Sequence, residues 1–226
     1  MTSRERYVML MASLPSIRFL ADKALPINQA RLGERLKLLE PADRDELLGI
    51  ASIISWNRID TGDNDAGFVA RAERTIAGIR SNALRDAVLE RLEIRTVVAA
   101  LRRRSSGEDA PPAQLPWGIG RPVETIRRNW TAPDFGLARV YPWVSAAKEK
   151  LDQGDAAALE RLILDVTWAA TARREFGHDF DLEAVAFYLM RWQLADRWAR
   201  YDADAAALRF RGLLSAALSD RHEVTA

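Results

Sequence analysis

The apolar residues of this chain recur at the three- and four-residue spacing of helices, and the two-residue alternation of half-buried strands is nearly absent. In the segment 81–104, for example, Leu84, Val88 and Leu92 fall on one helical face. In the segment 182–201 apolar side chains occupy two faces, a pattern typical of a helix buried on most of its surface. The sequence therefore predicts an all-α protein.

Capping residues mark where several of these helices begin and end. Asn28 and Asp155 are favourable N-caps, and Pro41 suits a first helical turn because its missing N–H is not needed there. Gly154 suits the end of the helix that precedes Asp155. Asn57 to Gly67 is predicted as a loop. Helices are predicted at 28–39, 41–54, 68–79, 81–104, 137–151, 155–174, 182–201 and 205–218.

Residues 7–14 form an apolar run near the start of the sequence. The run is short for a targeting sequence, Glu5 interrupts the basic stretch before it, and no small-residue cleavage site follows. We therefore expect a buried first strand or helix that ends at Pro15. No segment has the ~20 apolar residues of a transmembrane helix, so no direct membrane span is predicted.

A sixteen-residue pattern occurs twice, at 89–104 and at 159–174, with eight identical positions. Internal similarity is typical of bodies built from related helical units, although common helix residues also match by chance. We expect one all-helical domain over 1–226, or two related helical halves joined around residues 105–133. The arrangement expected is a repeat-like bundle or funnel in which the two copies superpose and make equivalent contacts.

The segment 105–133 holds five of the nine prolines and cannot be one continuous helix. Tryptophan and arginine are enriched at interaction hot spots, and prolines reduce the cost of ordering a segment when it binds. We predict that at least one tryptophan in or beside this segment is accessible to solvent. Packing of the loop on its own domain is the alternative explanation. The predicted partner-interface residues are Trp117, Trp130, Trp143, Arg127 and Arg128.

Composition narrows the function classes. Lys and Arg total 33 against 32 Asp and Glu, so the basic excess of a nucleic-acid-binding protein is absent and no nucleic-acid partner is expected. Zero cysteines exclude disulfides, thiolate metal sites and cysteine nucleophiles, in keeping with a reducing cytoplasm. The 48% apolar and 29% charged residues are typical of a folded protein.

His178, Asp179 and Asp181 are the best candidates for catalytic chemistry, since a histidine and two carboxylates can hold a metal. A small metal-dependent hydrolase centred on His178 is therefore one alternative function. A helix start capped by Asp179 or Asp181 explains the same residues without a metal, and we expect no metal or cofactor. Asp134 to Gly136 matches the metal-binding triplet of kinases, but the other kinase motifs are absent from the sequence. Gly118 to Gly120 matches part of a dinucleotide-binding motif, but the third glycine and the preceding strand are absent.

Three segments together resemble an uncharacterised bacterial family that is encoded among the subunits of V/A-type ATPases. They are Tyr7 to Pro15, Asp134 to Leu137, and Phe176 to Tyr201, which contains Phe180-Asp181, Ala186-Phe187-Tyr188-Leu189 and Asp196-Arg197-Trp198. More distantly, the helical repeats resemble the C subunit of such ATPases, called d in eukaryotes. That subunit is a funnel of helices that couples the membrane rotor ring to the central axle.

The resemblance implies a noncatalytic structural subunit or assembly factor, with central-axle and rotor-ring subunits as its partners. It also implies a cytoplasmic location, peripheral to the membrane through a protein complex. The chain is shorter than a C/d subunit, so we expect one helical unit of that subunit to be missing. A helical protein–protein adaptor unrelated to ATPases is a further alternative.

Overall fold

The computed structural model of this chain describes residues 2–18, 25–55 and 64–201. Within them every regular element is a helix, which confirms the all-α class. The predicted helix at 205–218 and most of the predicted loop at 57–67 lie outside them. The helices are α1 (Ser3–Ser13), α2 (Gln29–Leu36), α3 (Pro41–Ile54), α4 (Asp65–Gly78), α5 (Asn82–Ser105), α6 (Pro122–Arg128), α7 (Val144–Asp152), α8 (Ala156–Glu175) and α9 (182–201).

The predicted capping residues begin their helices. Asn28 and Asp155 each accept a hydrogen bond from the backbone N–H three residues later, at 2.9 Å in both cases. Ser81 caps α5 in the same way at 3.4 Å. Pro41 occupies the first turn of α3. None of the helices in the described part of the chain is both long enough and apolar enough to span a bilayer.

The apolar run at 7–14 belongs to a helix, α1, and not to a strand. Thr2 and Glu5 form a capping box at its start. Leu10 is fully buried, whereas Met9 is exposed. The expected burial of this run therefore holds for one face of α1 only.

Three other boundaries differ from the prediction by three residues or more, and the first is the end of helix α2, which lies at Leu36 instead of residue 39. Helix α4 begins three residues earlier than expected, because Asn64 accepts a hydrogen bond from the N–H of Gly67 and caps it. Helix α7 begins seven residues later, because 137–143 form turns and Pro142 disfavours helical geometry at the residue before it. The segment 105–133 is irregular as predicted, except for the short helix α6.

Helix α5 joins two hydrophobic cores. Its N-terminal half contributes Leu84 and Val88 to the first core, together with α1, α3, α4 and α9. Its C-terminal half contributes Val97 and Leu101 to the second core, together with α7, α8 and residues around Phe135. A smaller cluster packs α2 against α9. Because α5 is buried in both cores, side chains on it can hold distant segments in place.

The two copies of the sixteen-residue pattern lie on α5 and α8, which pack against each other in opposite directions. Glu90, in the first half of α5, forms ion pairs with Arg173 and Arg174 at the end of α8, at 3.0 and 2.7 Å. A symmetric pair would also join Glu160 to the end of α5. Glu160 interacts electrostatically with Arg102 in the last turn of α5, but it accepts its hydrogen bonds from Arg197 of α9.

Identical residues in the two copies therefore occupy different surroundings. Arg91 is buried, whereas Arg161, its counterpart in the second copy, leaves 58% of its side chain exposed. The expectation of equivalent contacts is wrong at these positions. The physical reason is that α5 is enclosed by two cores, while α8 has an outer face.

Candidate functional site

Trp117 does not lie on a surface. It is 7% exposed and belongs to the second core. The guanidinium carbon of Arg103 lies 6.0 Å from its ring centroid, and its indole N–H has no hydrogen-bond partner. The prediction that Trp117 is available to a partner is therefore wrong, because the proline-rich segment folds back on α5 and carries the ring inside.

Trp130 and Trp143 are half-buried at the edge of the second core. The ring of Trp130 lies 5.4 Å from that of Phe135, and its indole N–H donates to the Glu108 carbonyl at 3.3 Å. The ring of Trp143 lies 6.2 Å from that of Tyr141 in an edge-to-face arrangement. Each ring is therefore supported by a neighbouring aromatic ring and remains partly accessible to solvent.

The two arginines of the predicted interface differ in exposure. Arg127 and Arg128 both pair with Glu124 on helix α6. Arg127 also donates to the Ala113 carbonyl at 3.3 Å and is half-buried, whereas 73% of the Arg128 side chain is exposed. Arg128 is thus the candidate best placed to contact another molecule.

A buried carboxylate on α5 holds residues 105–133, the Pro/Trp segment, in place. Glu93 accepts three hydrogen bonds at 3.0 Å from Arg121, two from the guanidinium and one from the backbone N–H. The hydroxyl of Tyr141 donates a fourth, at 2.6 Å. Burial alone would raise the pKa of Glu93, but these hydrogen bonds outweigh it and lower that pKa. Burial and the contact with Glu93 raise the pKa of Tyr141, which stays a donor.

Two glycines allow the segment to approach α5 this closely. A Cβ atom on Gly118 would lie 2.5 Å from a methyl carbon of Thr96. The Thr96 hydroxyl accepts a hydrogen bond from the N–H of Ile119 at 2.9 Å and donates to the Leu92 carbonyl. Gly120 adopts a positive φ of 86°. The role of this glycine pair is close backbone packing.

Arg104 fixes the other end of the segment. Its guanidinium donates to the carbonyls of Trp130, Ala132 and Pro133, the last at 2.7 Å. It also lies 3.9 Å from the ring centroid of Phe135, which is fully buried at a positive φ of 55°. The kinase-like triplet that contains Phe135 is therefore a turn that packs beneath Arg104.

His178 lies in the turn before α9. Its Nδ1 is 2.8 Å from one carboxylate oxygen of Asp181, and the other oxygen of Asp181 accepts from the N–H of Ala184. Asp181 is thus the predicted helix cap. Asp179 is exposed and apart from this group, and Glu183 takes its place: ligand atoms of His178, Asp181 and Glu183 lie within 4.8 Å of one another.

A polar network at the junction of α1, α3 and the start of α5 escaped the sequence interpretation. The hydroxyl of Tyr7 and the guanidinium of Arg80 both donate to Asp43. Burial would raise the pKa of Asp43, but these two donors lower it. Arg80 also pairs with Glu46. The signal in the sequence was weak, because acidic residues in the first turn of a helix are common without any partner.

Helix α9 secures the N-terminal part of the chain. The hydroxyl of Tyr188 donates to the Pro15 carbonyl at 2.9 Å, and burial raises its pKa to about 12. The indole N–H of Trp192 donates to the Ile27 carbonyl at 2.8 Å.

In comparisons with known proteins, no protein-family model, no curated protein and no solved structure matches this chain.

Proposed function

We propose that this chain is a noncatalytic structural subunit or assembly factor of a V/A-type rotary ATPase, which binds between the rotor ring and the central axle. The proposal begins from the three ordered segments that resemble the family encoded with such ATPases. The observation that supports it is the hydrogen bond from Tyr188 to Pro15, which brings the first and the last of those segments into contact.

The residues that carry the resemblance join parts of the chain to one another. Phe135 lies beneath Arg104 in the second core, and Phe187 is fully buried in the first. Tyr7 donates to Asp43 on α3. Because the residues that carry the resemblance pack inside this chain, the resemblance favours an architecture shared with that family. A shared architecture fits a structural subunit.

The proposed contact surface is the edge of the Pro/Trp segment, comprising Trp130, Trp143 and Arg128. The anchors at Glu93 and Arg104 hold the segment in shape before any partner binds, which reduces the ordering cost of association. A half-buried tryptophan offers a rigid aromatic face, and an exposed arginine adds directional hydrogen bonds. These are the properties of an interaction hot spot.

Co-purification with separately produced central-axle and rotor-ring subunits tests the proposal. Arg128→Ala and Trp143→Ala should each weaken binding by about 1–3 kcal/mol. Arg161→Ala is the matched control, because Arg161 is an exposed arginine on another helix. Unfolding curves show whether Trp143→Ala remains folded, and Arg128→Ala keeps the test valid if it does not. Failure of the wild-type chain to bind either subunit contradicts the ATPase role, and binding to unrelated proteins alone favours a general helical adaptor.

The rival function, a metal-dependent hydrolase, has one observation in its favour: the proximity of His178, Asp181 and Glu183. Metal analysis of the purified protein separates the two functions. One equivalent of zinc or iron in the wild type that is lost in His178→Ala favours the hydrolase. The same low metal content in both proteins leaves the structural role as the better explanation.

A further inference from the structure

A cleft lies between helices α3 and α4, over the first core. Its volume is about 440 Å³. Pockets that bind small molecules typically measure about 300–1,000 Å³ and combine an apolar surface with a few polar groups. Asp45 of α3 and Arg74 of α4 line the cleft and are exposed, so it is open to solvent. The cleft therefore has the size and the access of a ligand site.

The floor of the cleft is apolar. Ile79 lines it and is only 1% exposed, and Ala42 lies beside it on α3. Gly49 and Thr75 bring the two helices together, since a Cβ atom on Gly49 would lie 3.6 Å from the methyl carbon of Thr75. The Thr75 hydroxyl donates to the Arg71 carbonyl at 3.1 Å and is not a free donor. An apolar part of a ligand therefore fits this floor.

Four charged side chains line the cleft, and two of them pair with each other. Arg80 donates to Glu46 through its backbone N–H at 3.2 Å and through its Nε atom at 2.5 Å. The same guanidinium donates to Asp43 at 2.5 Å. One arginine thus compensates only one of two carboxylates, and the remaining negative charge disfavours an anionic ligand at this end of the cleft.

The other two charged side chains, Asp45 and Arg74, are opposite in charge and belong to opposite walls of the cleft. Neither forms an ion pair or a hydrogen bond with the other, or with any further residue in the part of the chain that the structure describes. A ligand with a single charge would pair with one of them and leave the other without a partner. A ligand with both an ammonium and a carboxylate group can form a charge-assisted contact with each.

We propose that the cleft between α3 and α4 binds a small zwitterion with an apolar side chain, a free amino acid or a dipeptide. Asp45 accepts hydrogen bonds from its ammonium group, Arg74 donates to its carboxylate, and its side chain packs on the floor at Ile79. The planar donors of a guanidinium match the two oxygens of a carboxylate. The site is independent of the proposed ATPase role, since none of its residues belongs to the proposed contact surface.

Equilibrium dialysis of the full chain against radiolabelled leucine tests the site, and one leucine per chain is expected. Isocaproate, which lacks the ammonium group, and isoamylamine, which lacks the carboxylate, should each compete at least about tenfold more weakly than unlabelled leucine. Equal competition by either analogue overturns the proposal, as does a failure to retain both labelled leucine and labelled leucyl-leucine. Stronger competition by leucyl-leucine than by leucine assigns the site to a dipeptide, and equal or weaker competition assigns it to a free amino acid.

Asp45→Asn and Arg74→Gln should each weaken the binding of leucine at least about tenfold. Both side chains are exposed, so the unfolding curves of these variants should match that of the wild type. Asp179→Asn and Arg161→Gln are the matched controls, because they change an exposed acid and an exposed arginine outside the cleft. Wild-type affinity in either cleft variant means that the ligand is not held as a zwitterion and overturns the proposal.

Gly78→Leu tests the location of the ligand independently of charge. Gly78 lines the cleft, and a Cβ atom there would meet nothing within 4 Å, so a side chain can be added without a clash. The added side chain should narrow the cleft and weaken the binding of leucine at least about tenfold. Gly33→Leu is the control, since a Cβ atom on Gly33 also meets nothing within 4 Å and Gly33 lies on α2. Equal affinities in the two variants would place the ligand elsewhere and overturn the site.

Discussion

Gly120 lies directly against Glu93, so that a Cβ atom added to Gly120 would be 2.4 Å from the Cγ atom of Glu93. The carboxylate of Glu93 needs this proximity, because it binds the backbone N–H of the next residue, Arg121, as well as its guanidinium. One glycine and one buried acid therefore determine how the Pro/Trp segment meets α5.

Gly120→Ala should destabilise the protein by about 2–4 kcal/mol. The substitution adds a steric overlap with Glu93 to the strain of a positive φ, which by itself costs about 1–2 kcal/mol. Gly154→Ala is the matched control: its φ is +69° and a Cβ atom there would meet nothing within 4 Å. Denaturant unfolding measures both. Equal losses in the two variants would show that the contact with Glu93 contributes nothing.

Glu93→Gln should reduce stability by about 1–3 kcal/mol at pH 7, because a neutral amide replaces a carboxylate that accepts charge-assisted hydrogen bonds. The folded state lowers the pKa of Glu93 below its ordinary value of 4.5. The unfolded chain therefore binds the proton more readily than the folded chain. The stabilisation is complete well above pH 4.5 and is lost as the pH falls from 4.5 through the folded-state pKa.

Unfolding free energies measured from pH 7 down to pH 3 check this sign. The wild type should lose its advantage over Glu93→Gln as the pH falls below 4.5. Glu108→Gln is a suitable control, because Glu108 is exposed and its nearest cation, Arg103, is 3.9 Å away. An advantage that persists unchanged at pH 3 would contradict the assignment of Glu93 as an ionised anchor.

Arg91→Met should make the protein more stable by about 1–3 kcal/mol, since it replaces a buried charge, whose Nε and Nη1 have no hydrogen-bond partner among the described residues, with an apolar chain of similar length. Burial and the nearby charge of Arg197 lower the pKa of Arg91 to about 9, so Arg91 is still charged at pH 7. Arg161→Met, at the matching position of the second repeat copy, should change stability by less than about 0.5 kcal/mol. A destabilised Arg91→Met would mean that Arg91 has stabilising contacts.

The sequence predicted the features that depend on neighbouring residues. Asn28 and Asp155 cap their helices because a cap needs only the first turn that follows it. The segment 182–201 forms one helix, since two apolar faces leave few other ways to bury it.

Features set by distant contacts were not predictable in the same way. Trp117 is buried because Arg121 reaches Glu93, 28 residues earlier, and no local pattern encodes that pair. Arg91 and Arg161 occupy the same position in the two copies of the sixteen-residue pattern. Arg91 is nevertheless buried, whereas Arg161 is exposed. The spacing of apolar residues along a helix predicts which face is buried. How many other elements surround the helix depends on contacts between distant parts of the chain.

The turn before α9 offers a test that separates a helix cap from a metal ligand. Asp181→Ala should cost about 1 kcal/mol, because the N–H of Ala184 loses its capping acceptor. Asp179→Ala is the control, since Asp179 is exposed and outside the cluster, and it should change stability by less than about 0.5 kcal/mol. His178→Ala should stay within about 1 kcal/mol of the wild type, since its side chain is only partly buried and contacts Asp181 and the ring of Phe187. Unfolding with and without zinc completes the test. A zinc-dependent gain in stability that His178→Ala abolishes would contradict a simple cap and identify the cluster as a metal site.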